Sequence, residues 1–94
     1  MRDSALDADR IAGSPTVLAQ LSPGERATIL GVTPAASGVV AGRLRQLGFR
    51  PSSDVQVIRR APLGDPTIYR VQDTELCLRR REAQLIEVTP GTDA

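Results

Sequence analysis

The chain has 94 residues and a formal net charge of +1 from 12 basic and 11 acidic side chains, which fits one small domain and does not single out nucleic acid as a partner. It has no histidine and one cysteine, Cys77, which excludes His-based catalytic triads, thiolate metal clusters and an internal disulfide. No apolar run approaches the ~18 residues of a membrane span, and Asp3, Asp7 and Asp9 stand where a signal peptide would be basic and then apolar, so a soluble protein of a reducing compartment is expected.

Residues 1–16 are rich in Asp, Ala, Gly, Ser and Pro without periodicity and are expected to be a disordered or loosely packed extension. Val17–Leu21 reads as a short strand or helical turn that sets Leu18 and Leu21 against the core. Ser22-Pro23-Gly24 is a turn signal, because Pro23 presets its own φ and Gly24 can take a positive φ. Glu25–Val32 is a strand with Ala27 and Ile29 on one face, and Gly31 marks a bulge or a close backbone approach. A short helix follows, capped by Thr33 or by Ser37, with Val40, Leu44 and Leu47 forming one apolar stripe. Gly48 falls at the left-handed C-cap, Phe49 folds back onto the last turn, and Pro51 stops any continuation.

Asp54–Arg60 is the next strand, with Val55 and Val57 inward and Ile58 breaking the alternation. Pro62, Gly64 and Pro66 bound a rigid loop with Leu63 near its tip. Thr67–Val71 and Glu75–Arg79 pair across a tight turn at Gln72-Asp-Thr74, with Leu76 and Leu78 on one face. Arg80–Ala83 makes one helical turn and Leu85–Val88 closes the sheet, leaving residues 89–94 as a flexible tail. The pattern is mainly all-β, a small antiparallel barrel of about five strands with a short helical insertion across residues 17–88.

No constellation for catalysis is present, and an enzyme is not expected. Two prolines prefix the shape of the Pro62–Pro66 loop, so Leu63 would dock at little entropic cost, which favours protein recognition. Asp65 is expected to accept backbone N–H groups of its own loop. Glu82 reads as an ion-pair or backbone acceptor, and nothing in the sequence brings it near Asp65. The stem of Arg43 is expected to lie across the barrel mouth with its guanidinium on a carboxylate or carbonyl. Arg59-Arg60, Arg70 and Arg79-Arg80-Arg81 could suggest a phosphate patch, but Arg79 and Arg80 on one strand would point to opposite faces. The only aromatics, Phe49 and Tyr69, make a poor stacking platform for nucleic acid. Cys77 reads as a plain filler.

Leu21-Ser-Pro-Gly-Glu25, Arg43-Leu-Arg-Gln-Leu-Gly-Phe49, Arg60-Ala-Pro-Leu-Gly-Asp-Pro66 and Leu76-Cys-Leu-Arg79 with Glu82-Ala83 and Ile86–Val88 occur in this order. Together they resemble the FeoA family, the small cytoplasmic partner of the bacterial ferrous iron transporter. The resemblance implies an SH3-like barrel whose helix is inserted after the first long strand. It also implies a non-catalytic accessory role at the cytoplasmic side of FeoB, the permease with a GTP-hydrolysing domain. On that basis Arg43, Pro62, Leu63, Gly64, Asp65 and Pro66 are the expected interface. Pro23, Gly24, Leu44, Leu47, Gly48, Phe49 and Glu82 are expected to support the structure. Only carboxylates and carbonyls remain as iron donors, so no cofactor is expected beyond weak or indirect association with Fe2+. Self-association through a barrel edge or the helix face stays open. The alternatives are a related interaction domain in metal-dependent regulation and, behind it, a small nucleic-acid-binding barrel. Two positions depart from the family pattern: Pro51-Ser52-Ser53 replaces a common Pro-Gly, so that turn must use other dihedrals or accept strain, and the Val71–Thr74 hairpin is poor in glycine.

Overall fold

The structure, a computed structural model, describes residues 15–91. The expectations for residues 1–14 and 92–94 lie outside the described residues. The elements are β1 (Thr16–Val17), a 3-10 turn (Leu18–Gln20), β2 (Arg26–Val32), α1 (Gly38–Gln46), β3 (Asp54–Arg60), β4 (Thr67–Val71), β5 (Thr74–Leu78), α2 (Arg80–Ala83) and β6 (Ile86–Pro90). Every pairing is antiparallel, in the order β1-β6-β2-β3-β4-β5. The helical insertion stands after the first long strand, and the described residues form six strands, in keeping with the expected barrel of about five. Strand β1 runs into the 3-10 turn and β5 leads into α2, and these two helical pieces pack together. The two ends of the sheet therefore meet through helical turns around one core.

Alternation along β2 and β3 decides what that core contains. Ala27 and Ile29 are buried from β2, Val55 and Val57 from β3, Tyr69 and Val71 from β4, and Ile86 and Val88 from β6. Both breaks in the alternation are bulges: the β2–β6 register shifts between Ile29 and Gly31, and the β3–β4 register shifts between Val57 and Arg59. Gly31 sits at φ 151°, a conformation that side chains disfavour.

Two boundaries are corrected. Thr16, assigned above to the extension, pairs with Val88, and Thr89 and Pro90, assigned to the tail, pair with Thr28 and Ala27. These residues are held by backbone pairing and are only half-buried, so no apolar periodicity announces them.

Ser37 caps α1, its Oγ accepting the Val40 N–H at 3.2 Å, while Thr33 Oγ1 accepts the Ala35 N–H in the preceding turn. The expected stripe is narrower than Val40, Leu44 and Leu47. Leu44 is fully buried and Val40 half-buried, but Leu47 is the C-cap and 40% exposed. The chain reverses directly after it. Gly48, at φ 116°, donates to the Arg45 carbonyl at 3.0 Å, and Phe49 N–H reaches the Leu44 carbonyl at 3.1 Å. This Schellman arrangement seats Phe49 in the core beside Leu44.

The turn after α1 takes the strained alternative. Ser52 adopts φ 75°, its N–H donating to the Ile29 carbonyl at 2.8 Å, and thus holds the left-handed conformation that glycine supplies freely. A β-substituted residue there costs about 1–2 kcal/mol. Part of that is offset by the greater chain entropy a glycine would lose on folding. Ser52→Gly is therefore expected to stabilise the protein by about 0.5–1 kcal/mol, read as a higher urea midpoint at unchanged m. Gln72 and Asp73 of the β4–β5 hairpin also have positive φ, 52° and 65°, the pattern of a type I′ turn made without glycine.

Candidate docking site at the Pro62–Pro66 loop

The loop between β3 and β4 is closed across its base. Ala61 N–H donates to the Pro66 carbonyl at 3.0 Å, and Gly64 N–H donates to the Ala61 carbonyl at 2.7 Å. Gly64 has φ 92°, which lets the chain reverse at the tip, and the Asp65–Pro66 peptide bond is cis. Leu63 is left 95% exposed, with Pro62 exposed beside it.

Asp65 does not serve its own loop as expected. Its Oδ1 accepts the backbone N–H of Arg80, the first residue of α2, at 2.9 Å. That N–H belongs to the first turn of a helix and has no partner within it, so the carboxylate is better used there. Glu82 acts on the same short helix: Oε1 accepts the Arg79 N–H at 3.1 Å, and Oε2 accepts from Arg43 Nη2 on α1. These two carboxylates, which no spacing in the chain associates, thus both work on α2. Through it the loop is tied to the helix that carries Arg43.

Arg60 braces the root of the loop. Its Nη2 donates to the Leu21 carbonyl at 2.6 Å and its Nε to Thr67 Oγ1 at 3.2 Å. The expected turn at Pro23-Gly24 lies alongside: Gly24, at φ 93°, donates to the Val57 carbonyl at 2.7 Å, and Glu25 accepts the Ser22 N–H. The sequence offers Arg60 as part of an arginine patch and as the first residue of the family-like loop segment, but not as a brace. Its position directly before the loop is visible in the sequence, but the Leu21 carbonyl it reaches is 39 residues away.

The remaining arginines are arranged differently from the expectation for a strand. Arg79 is the extended residue before α2, and Arg80 and Arg81 lie within it. All three are exposed. Arg70 pairs with Glu75 at 2.6 Å across β4 and β5. Cys77 is exposed. Among the described residues no three His, Cys, Asp or Glu side chains gather as metal ligands would. A groove of about 740 Å³ between Arg26, Asp54, Gln56, Arg70 and Asp73 shares no residue with the loop.

Tyr69, the third residue of β4, which follows the loop, is 2% exposed. Burial pushes its pKa above the ordinary 10.0, against the lowering effects of a hydrogen bond with Thr67 and of nearby Arg60 and Arg80. Below pH 10 the phenol is neutral whether the chain is folded or not, and its full stabilising share is present. Above that value the unfolded chain releases a proton that the fold retains, so stability falls as pH rises. Tyr69 is the chain's sole tyrosine, so its ultraviolet titration reports this site alone. The phenolate absorbance is expected to rise later in the native protein than in urea, and Tyr69→Phe is expected to flatten the alkaline loss of stability.

Residues 16–90 match the FeoA domain. The chain belongs to the FeoA family. Over 71 residues, 76% of its length, it is 38% identical to the Fe(2+) transport protein A/Fe(2+) transporter FeoB fusion protein of Porphyromonas gingivalis, of which it spans 8%. Its fold is similar to that of the FeoA protein from Chlorobium tepidum, at a TM-score of 0.75 and 35% identity, covering 84% of this chain and 73% of that one. It is similar also to FeoA of Stenotrophomonas maltophilia, solved with zinc and described as an SH3 domain protein. There the TM-score is 0.70 and the identity 29%, over 78% and 88% of the two chains. The six-stranded sheet with its inserted helix is this SH3-like architecture of the FeoA family.

Proposed function

We propose that this FeoA-family chain is a non-catalytic accessory protein of ferrous iron uptake that docks on the cytoplasmic side of a FeoB-type transporter through the Pro62–Pro66 loop. The P. gingivalis relative, which joins an iron transport protein A segment to a FeoB transporter in one polypeptide, supports the pairing of the two proteins. No helix among the described residues is long and apolar enough to cross a membrane, which suits an accessory role beside a separate permease. Iron is the transporter's cargo in this reading, and the FeoA-family chain holds no resident metal.

The single observation that carries the reading is Leu63. A leucine 95% exposed on a turn pinned by backbone hydrogen bonds at its base and by Asp65 at its flank is an anchor prepared before contact. Little ordering entropy is lost when such a side chain enters a socket. The test is binding to the matching transporter, both its cytoplasmic domain and the full protein in detergent. Leu63→Asp is expected to weaken binding about 30-fold or more, the cost of losing a central anchor, while its far-UV circular dichroism matches wild type. Undiminished binding by the folded variant would remove the loop from the interface. Absence of wild-type binding in every nucleotide state would end the transporter reading.

A further inference from the structure

We infer that the docking face around Leu63 is built for an acidic protein surface: an apolar socket for Leu63 with carboxylates around its rim. This rests on the loop being the docking element. It specifies the chemistry of the surface opposite.

The inference comes from how charge is used on this side of the molecule. Arg59 precedes the loop by two residues, and Asp65 seats the loop directly against the backbone of Arg80, so Arg79, Arg80 and Arg81 lie on the adjoining turn. The side chains of Arg59, Arg79, Arg80 and Arg81 are all exposed, and among the described residues none has a carboxylate at ion-pair distance. The carboxylates that could neutralise them are committed elsewhere. Asp65 accepts from the Arg80 backbone, and Glu82 is shared between Arg43 and the Arg79 backbone. The face therefore presents unpaired guanidinium groups beside one exposed apolar side chain, on a protein whose net charge is only +1.

Guanidinium groups present planar forks that match carboxylates two bonds at a time. A rim of this kind steers encounter and fixes orientation, while a central apolar side chain supplies lasting contact. Nucleic acid is a poor fit because both aromatic residues, Phe49 and Tyr69, are buried and offer no stacking surface. An anionic membrane is a poor fit because Leu63 exposes far less apolar area than a single acyl chain, and even that anchors only marginally.

The test pairs the full-length protein with the transporter's cytoplasmic domain in stopped-flow and equilibrium binding from 50 to 300 mM NaCl. Wild type is set beside Arg59→Glu/Arg81→Glu, which leaves Arg80 and its contact with Asp65 untouched. The milder Arg59→Gln/Arg81→Gln is included in case the reversal disturbs folding. Affinity is expected to fall about tenfold across that salt range, mainly through the association rate. The charge reversal is expected to weaken binding about tenfold at low salt and to flatten the salt dependence. Binding that is sensitive to Leu63→Asp but indifferent to salt and to both arginine variants would overturn the acidic rim and leave the docking loop standing. No binding by wild type would overturn the loop reading and this inference with it. Wild-type binding to vesicles of phosphatidylcholine and phosphatidylglycerol, lost in the charge reversal, would assign the arginines to a membrane surface and likewise overturn it.

Discussion

Phe49→Ala is expected to lower the unfolding free energy by about 3–5 kcal/mol, the usual cost of emptying a buried aromatic site. Phe49 is fully buried and stands two residues beyond the C-cap of α1, held there by its N–H bond to the Leu44 carbonyl. Its loss removes core volume and also the contact that ties the helix end to the sheet. A domain of this size has roughly 5–15 kcal/mol in total, so the variant should lose a large share of its stability. The contrast is Leu47→Ala. An apolar stripe at helical spacing would make Leu47 the costlier site, yet it is a 40% exposed C-cap, and its truncation is expected to cost less than about 1 kcal/mol. Urea titrations of both variants at one temperature decide between the two pictures.

Arg60→Ala is expected to cost about 2 kcal/mol. One guanidinium joins the Leu21 carbonyl to Thr67 Oγ1, across the 3-10 turn and the start of β4, and Thr67 is only 5% exposed. Hydrogen bonds to a charged donor are the stronger kind, and their removal leaves partly buried acceptors without it. Arg60→Lys should recover less than half of the loss, because an ammonium on a flexible stem cannot reproduce a two-nitrogen fork. The neighbouring Arg59→Ala, at an exposed position, is expected to change stability by no more than about 0.5 kcal/mol. Equal costs at the two sites would refute the bracing role.

What the sequence made legible follows the reach of local physics. The bulge at Gly31, the αL cap at Gly48 and the single turn Arg80–Ala83 each depend on a few adjacent residues, and each was readable from residue type and spacing, whereas at Ile58 only a break in alternation was readable and not the bulge behind it. The exposed tip at Leu63 was readable too, because Pro62, Gly64 and Pro66 dictate a turn. The bond of Asp65 to Arg80, the pairing of Glu82 with Arg43 and the reach of Arg60 to the Leu21 carbonyl were not, since they span 15, 39 and 39 residues and depend on how the sheet brings its ends together, while the role of Glu82 as a backbone acceptor for Arg79 is local and was readable. Thr16 and Thr89 were missed for another reason. Marginal strands carry their signal in backbone pairing, which leaves no trace in side-chain pattern.

Strand β1 has a consequence for how such a domain can be used. Thr16 lies opposite Val88, so the polypeptide comes into the fold on a strand hydrogen-bonded to the one by which it departs, two residues short of Pro90. Neighbouring strand ends of this kind let a domain be appended to, or spliced within, a larger protein without stretching its own frame. The P. gingivalis relative has the matching stretch in a polypeptide of which it forms 8%. Tethering of that sort replaces encounter from solution with a high local concentration, so a docking contact too weak to hold two separate chains can still be occupied nearly all the time.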